Sequence, residues 1–266
     1  MDKVGTGQIT RTAAEIYEEF FVPALFHEWA PRLVEAAGIT RGMTVLDVAC
    51  GTGIVARNAR EQVGPSGKVT GLDRNEGMLA VARRQGPDIV WRQGLAESLP
   101  FADSTFDAVT CQFALMFFED RVKALREMYR VLRPQARMAI AVWDRLENSA
   151  GYMQMSMLLD RLFGKTVADA LRAPFVLGDP ADLRDLLTAA GIEGTDIRTL
   201  SGTVRFPSIE SWVRTDIKGW TLADLLDDSQ YRALLKAAGT DLSKFVLADG
   251  TVAFAAPAHV VIASHP

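Results

Sequence analysis

The chain has little with which to hold a metal or build a disulfide framework. Its 266 residues include two cysteines and three histidines, and Cys50, Cys111, His27, His259 and His265 are scattered. No pair has metal-ligand spacing, so no metal is expected. Cys50 and Cys111 fall at the ends of expected core strands, where they read as small apolar residues in a reduced cytoplasm. The sequence also lacks an uninterrupted apolar run of about 18 residues, so no membrane span is expected. The opening stretch, MDKVGTGQITRTAAE, has no apolar segment of the secretory kind. With a net charge of −4 there is no clustered basic surface to suggest nucleic acid. No internal repeat or low-complexity segment is visible. A chain that is 48% hydrophobic and 23% charged reads as a soluble globular protein. It is long for one minimal domain and short for two full ones.

The informative stretch is VLDVACGTGIVAR, residues 45–57. A short apolar run ends in a Gly-rich turn, and a helix-compatible segment begins near Ile54. Gly51 and Gly53 in the turn let a ligand approach bare backbone. A second apolar run, KVTGLD, ends in Asp73, a carboxylate placed to hold two ribose hydroxyls. Together these point to an adenosine-containing ligand. Gly51 to Ala56 formally fits the dinucleotide fingerprint G-x-G-x-x-[GA], a weak signal alone. Asp47 argues against it: a carboxylate at the end of the first strand would repel a pyrophosphate. It would attract the ammonium and sulfonium of S-adenosylmethionine. The alternative for Asp47 is that it hydrogen-bonds turn amides.

With these motifs the chain resembles the class I S-adenosylmethionine-dependent methyltransferases, in the small-molecule group similar to the ubiquinone/menaquinone methyltransferases. The resemblance runs from about Val45 to Trp143. Asp47-Val48-Ala49-Cys50-Gly51-Thr52-Gly53 is similar to the family's D-x-G-x-G-x-G, with Ala49 in place of the first glycine. LDRNEGMLAVAR (72–83) resembles the acidic loop after the second strand. GLAESLPFADSTFDAV (94–109) resembles the adenine loop and fourth strand, and LREMYRVLRPQARMAIAVW (125–143) the following helix and strand. Leu95 stands where the family has an Asp that accepts from the adenine amino group. Arg133-Pro134-Gln135-Ala136 replaces the usual R-P-G-G turn. The resemblance implies a cofactor site of Asp47, Ala49, Cys50, Gly51, Thr52, Gly53, Asp73, Arg74, Met78, Leu95, Ala96, Glu97, Gln112 and Phe113. It implies S-adenosylhomocysteine as product.

The alternation from Met43 to Trp143 predicts strands at 43–48, 67–72, 88–92, 106–111 and 137–143. Helices are expected at 54–63, 76–85 and 120–132. That alternation means a parallel sheet with helices on both faces; the resemblance implies an α/β, Rossmann-like sheet, seven-stranded and mostly parallel, with a helical lid. Residues 1–42 read as an N-terminal helical cap. Within it, Ile16, Tyr17, Phe20, Phe21, Ala24 and Leu25 recur on one face, and Pro23 should kink or split the segment. Residues 43–266 read as the methyltransferase domain, with lid insertions at about 145–178 and 207–248. A strand is expected over 197–206 and a final one over TVAFAAPAHVVIAS (251–264).

Methyl transfer needs alignment and exclusion of water more than a dedicated catalytic set, and no such set is visible. Tyr17 is the N-terminal candidate, since related enzymes often use a tyrosine there, and His27 is a second proton acceptor by type. His259 and His265 are not candidates. Trp143, Trp212, Trp220, Phe163 and Phe175 could line an apolar acceptor pocket. Met153, Met155 and Met157, spaced by two, read as adaptable lid packing. The expected partner is a small, largely apolar methyl acceptor, with no nucleic acid, and a homodimer is compatible with these residues. The alternative function is a non-catalytic protein that binds S-adenosylmethionine or another small ligand.

Overall fold

The computed structural model describes residues 11–218 and 225–266. Its main element is a seven-stranded sheet. The strands are β1 (Thr44–Val48), β2 (Lys68–Asp73), β3 (Val90–Gln93), β4 (Phe106–Gln112), β5 (Leu132–Trp143), β6 (Asp196–Leu200) and β9 (Ala258–Ser264). They lie in the order β3-β2-β1-β4-β5-β9-β6. The pairs among β1 to β5 are parallel, and β9 runs antiparallel between β5 and β6. Two further strands, β7 (Thr203–Phe206) and β8 (Val252–Ala255), form a separate antiparallel pair. The helices are α1 (Arg11–Ile16), α2 (Trp29–Ala36), α3 (Ile54–Val63), α4 (Glu76–Gln85) and α5 (Arg121–Arg130). They continue with α6 (Ala150–Phe163), α7 (Lys165–Arg172), α8 (Pro180–Ala189), α9 (Ile209–Lys218) and α10 (Asp228–Asp241).

The first half forms as its pattern dictates. β1 and β4 are buried nearly throughout, as strands covered on both faces must be. Asn75 caps α4 by accepting from Gly77 and Met78 N–H, and Asp120 caps α5 by accepting from Lys123 N–H. The order reverses at β1, with β2 on one side and β4 on the other. Ligands of open α/β sheets bind at such a switch point, beyond the carboxyl ends of the strands.

Four expectations change. The N-terminal segment is α-helical only to Ile16, and Tyr17–Phe26 is π-helical; its His27 N–H donates to Val22 O at 2.8 Å. The expected strand over 197–206 is two strands in different sheets. They part at Gly202, where a Cβ would sit 2.3 Å from the Trp29 ring. The final strand divides too, because Pro257 lacks an N–H and separates β8 from β9. Gly164, at φ 83°, divides the helical part of the expected 145–178 insertion into α6 and α7. The methionines also part company, with Met155 fully buried and Met157 about half exposed at 51%.

Trp91 of β3 explains two glycines. A Cβ at Gly53 would lie 2.3 Å from its indole, and one at Gly71 would lie 2.4 Å from it and 3.0 Å from Cys50 Sγ. The indole therefore fills the space under both site loops, and its Nε1–H donates to Gly86 O at 2.8 Å. Gly71→Ala should lower stability by about 1–3 kcal/mol. In urea titration the loss should shrink when Trp91→Leu is already present. A fully additive double-mutant cycle would show that the two sites are not in contact.

Candidate active site

Four loops meet at the carboxyl ends of β1, β2, β3 and β4. The first, after β1, turns through Ala49 at φ 54°, Gly51 at φ 55° and Gly53 at φ 92°. Ala49 takes a left-handed conformation that costs a side-chain-bearing residue about 1–2 kcal/mol. Gly51 N–H donates to Asp73 Oδ2 at 2.8 Å, and Asp73 Oδ1 accepts from Asn75 N–H at 2.8 Å. Asp73 thus joins the end of β2 to the first loop. Gly94 N–H, after β3, donates to Asp73 O at 3.0 Å and brings the next loop alongside. Asp47 is almost fully buried. It accepts from Ala56 N–H at 3.1 Å and from the Thr110 hydroxyl at 2.9 Å, so it holds the start of α3. Burial pushes its carboxyl up to about 7, against the pull of those two hydrogen bonds. Asp73 is likewise raised by burial.

Tyr17 covers this cradle. Its ring lies 3.8 Å from where a Gly51 Cβ would be, and it stacks on Phe21 and Phe26 at 5.6 and 5.3 Å. Burial, then the Asp73, Glu18 and Asp47 carboxylates, push the Tyr17 phenol well up. Tyr17 therefore stays protonated near neutrality and is a donor rather than the proton acceptor that its type allowed. Glu18 pairs with Arg57 at 2.8 Å, which fixes the π-helical segment to α3. Among the described residues, Glu18 Oε2, Thr52 Oγ1 and Gln112 Oε1 are buried without a hydrogen-bond partner. Met78 packs with Tyr17, Ala96 is buried and Leu95 is 50% exposed. Arg74 is exposed, and its carbonyl accepts from Gln93 Nε2–H. Glu97 Oε1 accepts from Glu119 N–H.

Beyond Phe26 lies an apolar pocket of about 520 Å³, part of it open to solvent, whose walls include Phe21, Phe26, Phe113, Trp143, Tyr152 and Phe175. Phe113 follows β4 at φ 52° and stacks on Trp143 at 3.8 Å. Of the expected pocket residues, Trp143 and Phe175 line it. Trp212 does not: it is fully buried, stacked on Phe206 and tilted against Phe254. Phe163 packs against the core instead, and Trp220 lies outside the described residues. His27 is exposed at the end of the π-helical segment and lines no part of the pocket.

The family model described as Methyltransferase domain matches residues 46–140. The ubiquinone/menaquinone biosynthesis C-methyltransferase UbiE of Escherichia coli O1:K1 / APEC is 34% identical over 192 residues, covering 66% of this chain and 76% of that protein. The chain belongs to the methyltransferase family. The UbiE protein of Hahella chejuensis is 39% identical over 149 residues, 53% of this chain. The chain spans 60% of that relative's length. The fold of this methyltransferase-family chain is also that of a Haemonchus contortus phosphoethanolamine N-methyltransferase 2, solved with S-adenosylhomocysteine and phosphomonomethylethanolamine. That likeness has a TM-score of 0.63 at 17% identity, over 97% of this chain and 58% of that one.

Several pocket residues were not foreseen, Phe21, Phe26 and Tyr152 among them, and one is acidic. Asp216 lines the apolar pocket, and its Oδ2 accepts from Trp212 Nε1–H at 2.8 Å. Its signal lay in the helical spacing: Trp212, Val213 and Ile217 are buried, and an acidic residue at 216 shares their face. Burial pushes its carboxyl up to about 8 from an ordinary 3.8. The folded protein thus holds a proton that the unfolded chain has lost above about pH 4. The stability this gives is complete below the unfolded value and disappears as pH rises through about 8. Asp216→Asn should therefore gain on wild type by on the order of 3–6 kcal/mol between about pH 4 and about pH 8 in paired denaturation curves. Parallel curves would mean that Asp216 is solvated in the folded state.

Proposed function

We propose that the protein transfers a methyl group from S-adenosylmethionine to a small, largely apolar acceptor held in the aromatic pocket. The observation that carries this reading is the continuity from Gly51 through Tyr17 and Phe26 into that pocket. It favours an enzyme over a protein that only binds the cofactor, since a pocket of a size to hold an acceptor adjoins the residues that cover the cradle. The cradle fits the cofactor. Gly51 and Gly53 leave backbone bare, Asp73 stands at the end of β2 for a ribose, and Glu18, Thr52 and Gln112 offer buried polar atoms without partners. The Asp47, Asp73 and Glu18 carboxylates that act together on Tyr17 suit a cation rather than a pyrophosphate. S-adenosylmethionine supplies a methyl group already activated on a sulfonium sulfur. The residues of this chain need only orient both partners and exclude water.

Tyr17 would stand between the cradle and the pocket as a hydrogen-bond donor. Phe113 and Trp143 would set the plane of a flat acceptor. We take the helical segments at about 145–178 and 207–248 as a lid over it. The relatives named for C-methylation in ubiquinone and menaquinone biosynthesis support an acceptor of that general kind, an apolar ring system.

Calorimetry with S-adenosylhomocysteine tests the cofactor half of the reading. No binding below millimolar concentration would overturn it. Asp73→Ala should weaken binding by about 2–4 kcal/mol, through loss of charge-assisted hydrogen bonds and of the loop they order. Transfer of a labelled methyl group into a panel of apolar aromatic acceptors tests the other half. Trp143→Ala should raise the acceptor's apparent Kd by about tenfold or more while cofactor binding holds. Trp212→Ala should instead lower stability by about 3–5 kcal/mol, as loss of a fully buried indole does. The reverse pattern would dismiss the pocket assignment.

A further inference from the structure

Alignment of an apolar molecule does not require a carboxyl group, yet the pocket contains one. Among the side chains that line it, Asp216, Tyr152 and Trp143, the last through its indole N–H, carry polar atoms, and Asp216 alone is a carboxyl, 4% exposed. Trp212 holds Asp216 by Oδ2 from one turn earlier on α9. Among the described residues this is its hydrogen bond, and Oδ1 is left for whatever enters. The groups that face it are aromatic or aliphatic: Phe21 and Leu25 from the π-helical segment, and Tyr152 from α6. Tyr152 is the titratable one, its phenol pushed well up by burial and then by Asp216. Among the described residues no cation pairs with the carboxyl, and Arg214 lies over the Phe20 ring at 5.6 Å.

We propose that Asp216 is the specificity residue of this pocket, its Oδ1 engaging a neutral hydroxyl on an otherwise apolar acceptor. The proposal rests on the methyl-transfer reading in taking the pocket's occupant to be the acceptor. A hydroxyl both donates and accepts, so it pairs with a carboxyl in either protonation state. A carbonyl pairs only with the neutral acid, and an ammonium is well matched only to the carboxylate. With its carboxyl raised to about 8, Asp216 is mainly neutral near pH 7 and mixed just above it. A hydroxyl is the group that such a site holds on both sides of that change. An acceptor with no polar group would leave Oδ1 unpaired in an apolar surround, which selects against it.

The test uses the full chain with S-adenosylhomocysteine present. Three probes of one shape, 2-methylnaphthalene, 2-naphthylmethanol and 2-naphthylmethylammonium, are followed by quenching of tryptophan emission at about pH 6.5 and about pH 8.5, on either side of the Asp216 value. The methanol should bind about tenfold tighter than the hydrocarbon at both pH values. In Asp216→Leu that preference should fall to within about twofold, with S-adenosylhomocysteine binding unchanged. Asp216→Asn, which keeps the shape and a bond to Trp212, guards against a folding defect in Asp216→Leu. It should retain part of the hydroxyl preference and bind the ammonium more weakly than wild type does. A hydroxyl preference that survives Asp216→Leu would overturn the proposal. So would an ammonium that binds tightest and gains further as pH rises, which would make the pocket a cation cage. Failure to bind S-adenosylhomocysteine strikes the reading beneath the proposal. Lost hydroxyl preference in wild type with that binding intact strikes the proposal alone.

Discussion

The 2.8 Å hydrogen bond from Gly51 N–H to Asp73 Oδ2 is the contact on which the rest of the site depends. It joins the loops after two adjacent parallel strands, which the sheet alone leaves independent beyond their last ladder bond. With the first loop held, Gly51 offers a flat floor for the Tyr17 ring. Tyr17 then carries Phe26, which leans on Phe113, and Phe113 stacks on Trp143. The wall of the pocket is thus set from β1 outward. Trp91 supports the arrangement from below, where Gly53 and Gly71 leave room for its indole.

The first half of the fold was legible because its signals are local. Apolar runs ending in Gly51 and Asp73, and the amphipathic spacing of Val122, Leu125 and Met128, each specify an element without reference to distant residues. From Met43 to Trp143 the strands and helices fall within a few residues of their expected bounds, except that β5 begins at Leu132, five residues early, and takes in the Arg133–Ala136 stretch expected to be a turn. The second half depends on long-range packing. Nothing in the stretch 197–206 says that Gly202 must pass beneath Trp29, and that close approach is what sends β6 and β7 to different sheets. The aromatics show the same division. Trp143 and Trp212 are alike in sequence, but one ends a central strand at the site while the other fills the space between α9 and β8. His27 follows a strongly apolar stretch and still faces solvent.

The site has a cost in stability. Asp47, Asp73 and Asp216 are all buried carboxyls whose protonation burial favours, and Ala49 and Phe113 take left-handed backbone conformations. Strain and desolvation gathered at strand ends and on the pocket wall mark a functional region more often than a packing accident. The remaining buried histidine has a different character. His259 Nε2 lies 2.9 Å from Gly178 O and 3.1 Å from Asp144 Oδ1, while Nδ1 lies 2.9 Å from the Thr199 hydroxyl. Nε2 therefore donates toward the Gly178 carbonyl and the Asp144 carboxylate. The imidazole ties β9 and β6 to the segment that leads from the pocket into α8.

The π-helical form of Tyr17–Phe26 makes the distance between its two ends, counted in residues, a functional quantity. Residues nine apart on an α-helix face opposite sides, since each advances the chain by about 100°. The wider π turn, closed by i→i+5 bonds, brings Tyr17 and Phe26 to one side with their rings 5.3 Å apart. Deleting a single residue between them would let the segment relax to an α-helix with its caps and composition nearly intact. The tyrosine would then swing away from the glycine that it covers. Homologues should thus tolerate substitutions along this segment far more readily than a change in its length, and a one-residue gap in this segment would mark a lineage whose site is closed by some other side chain.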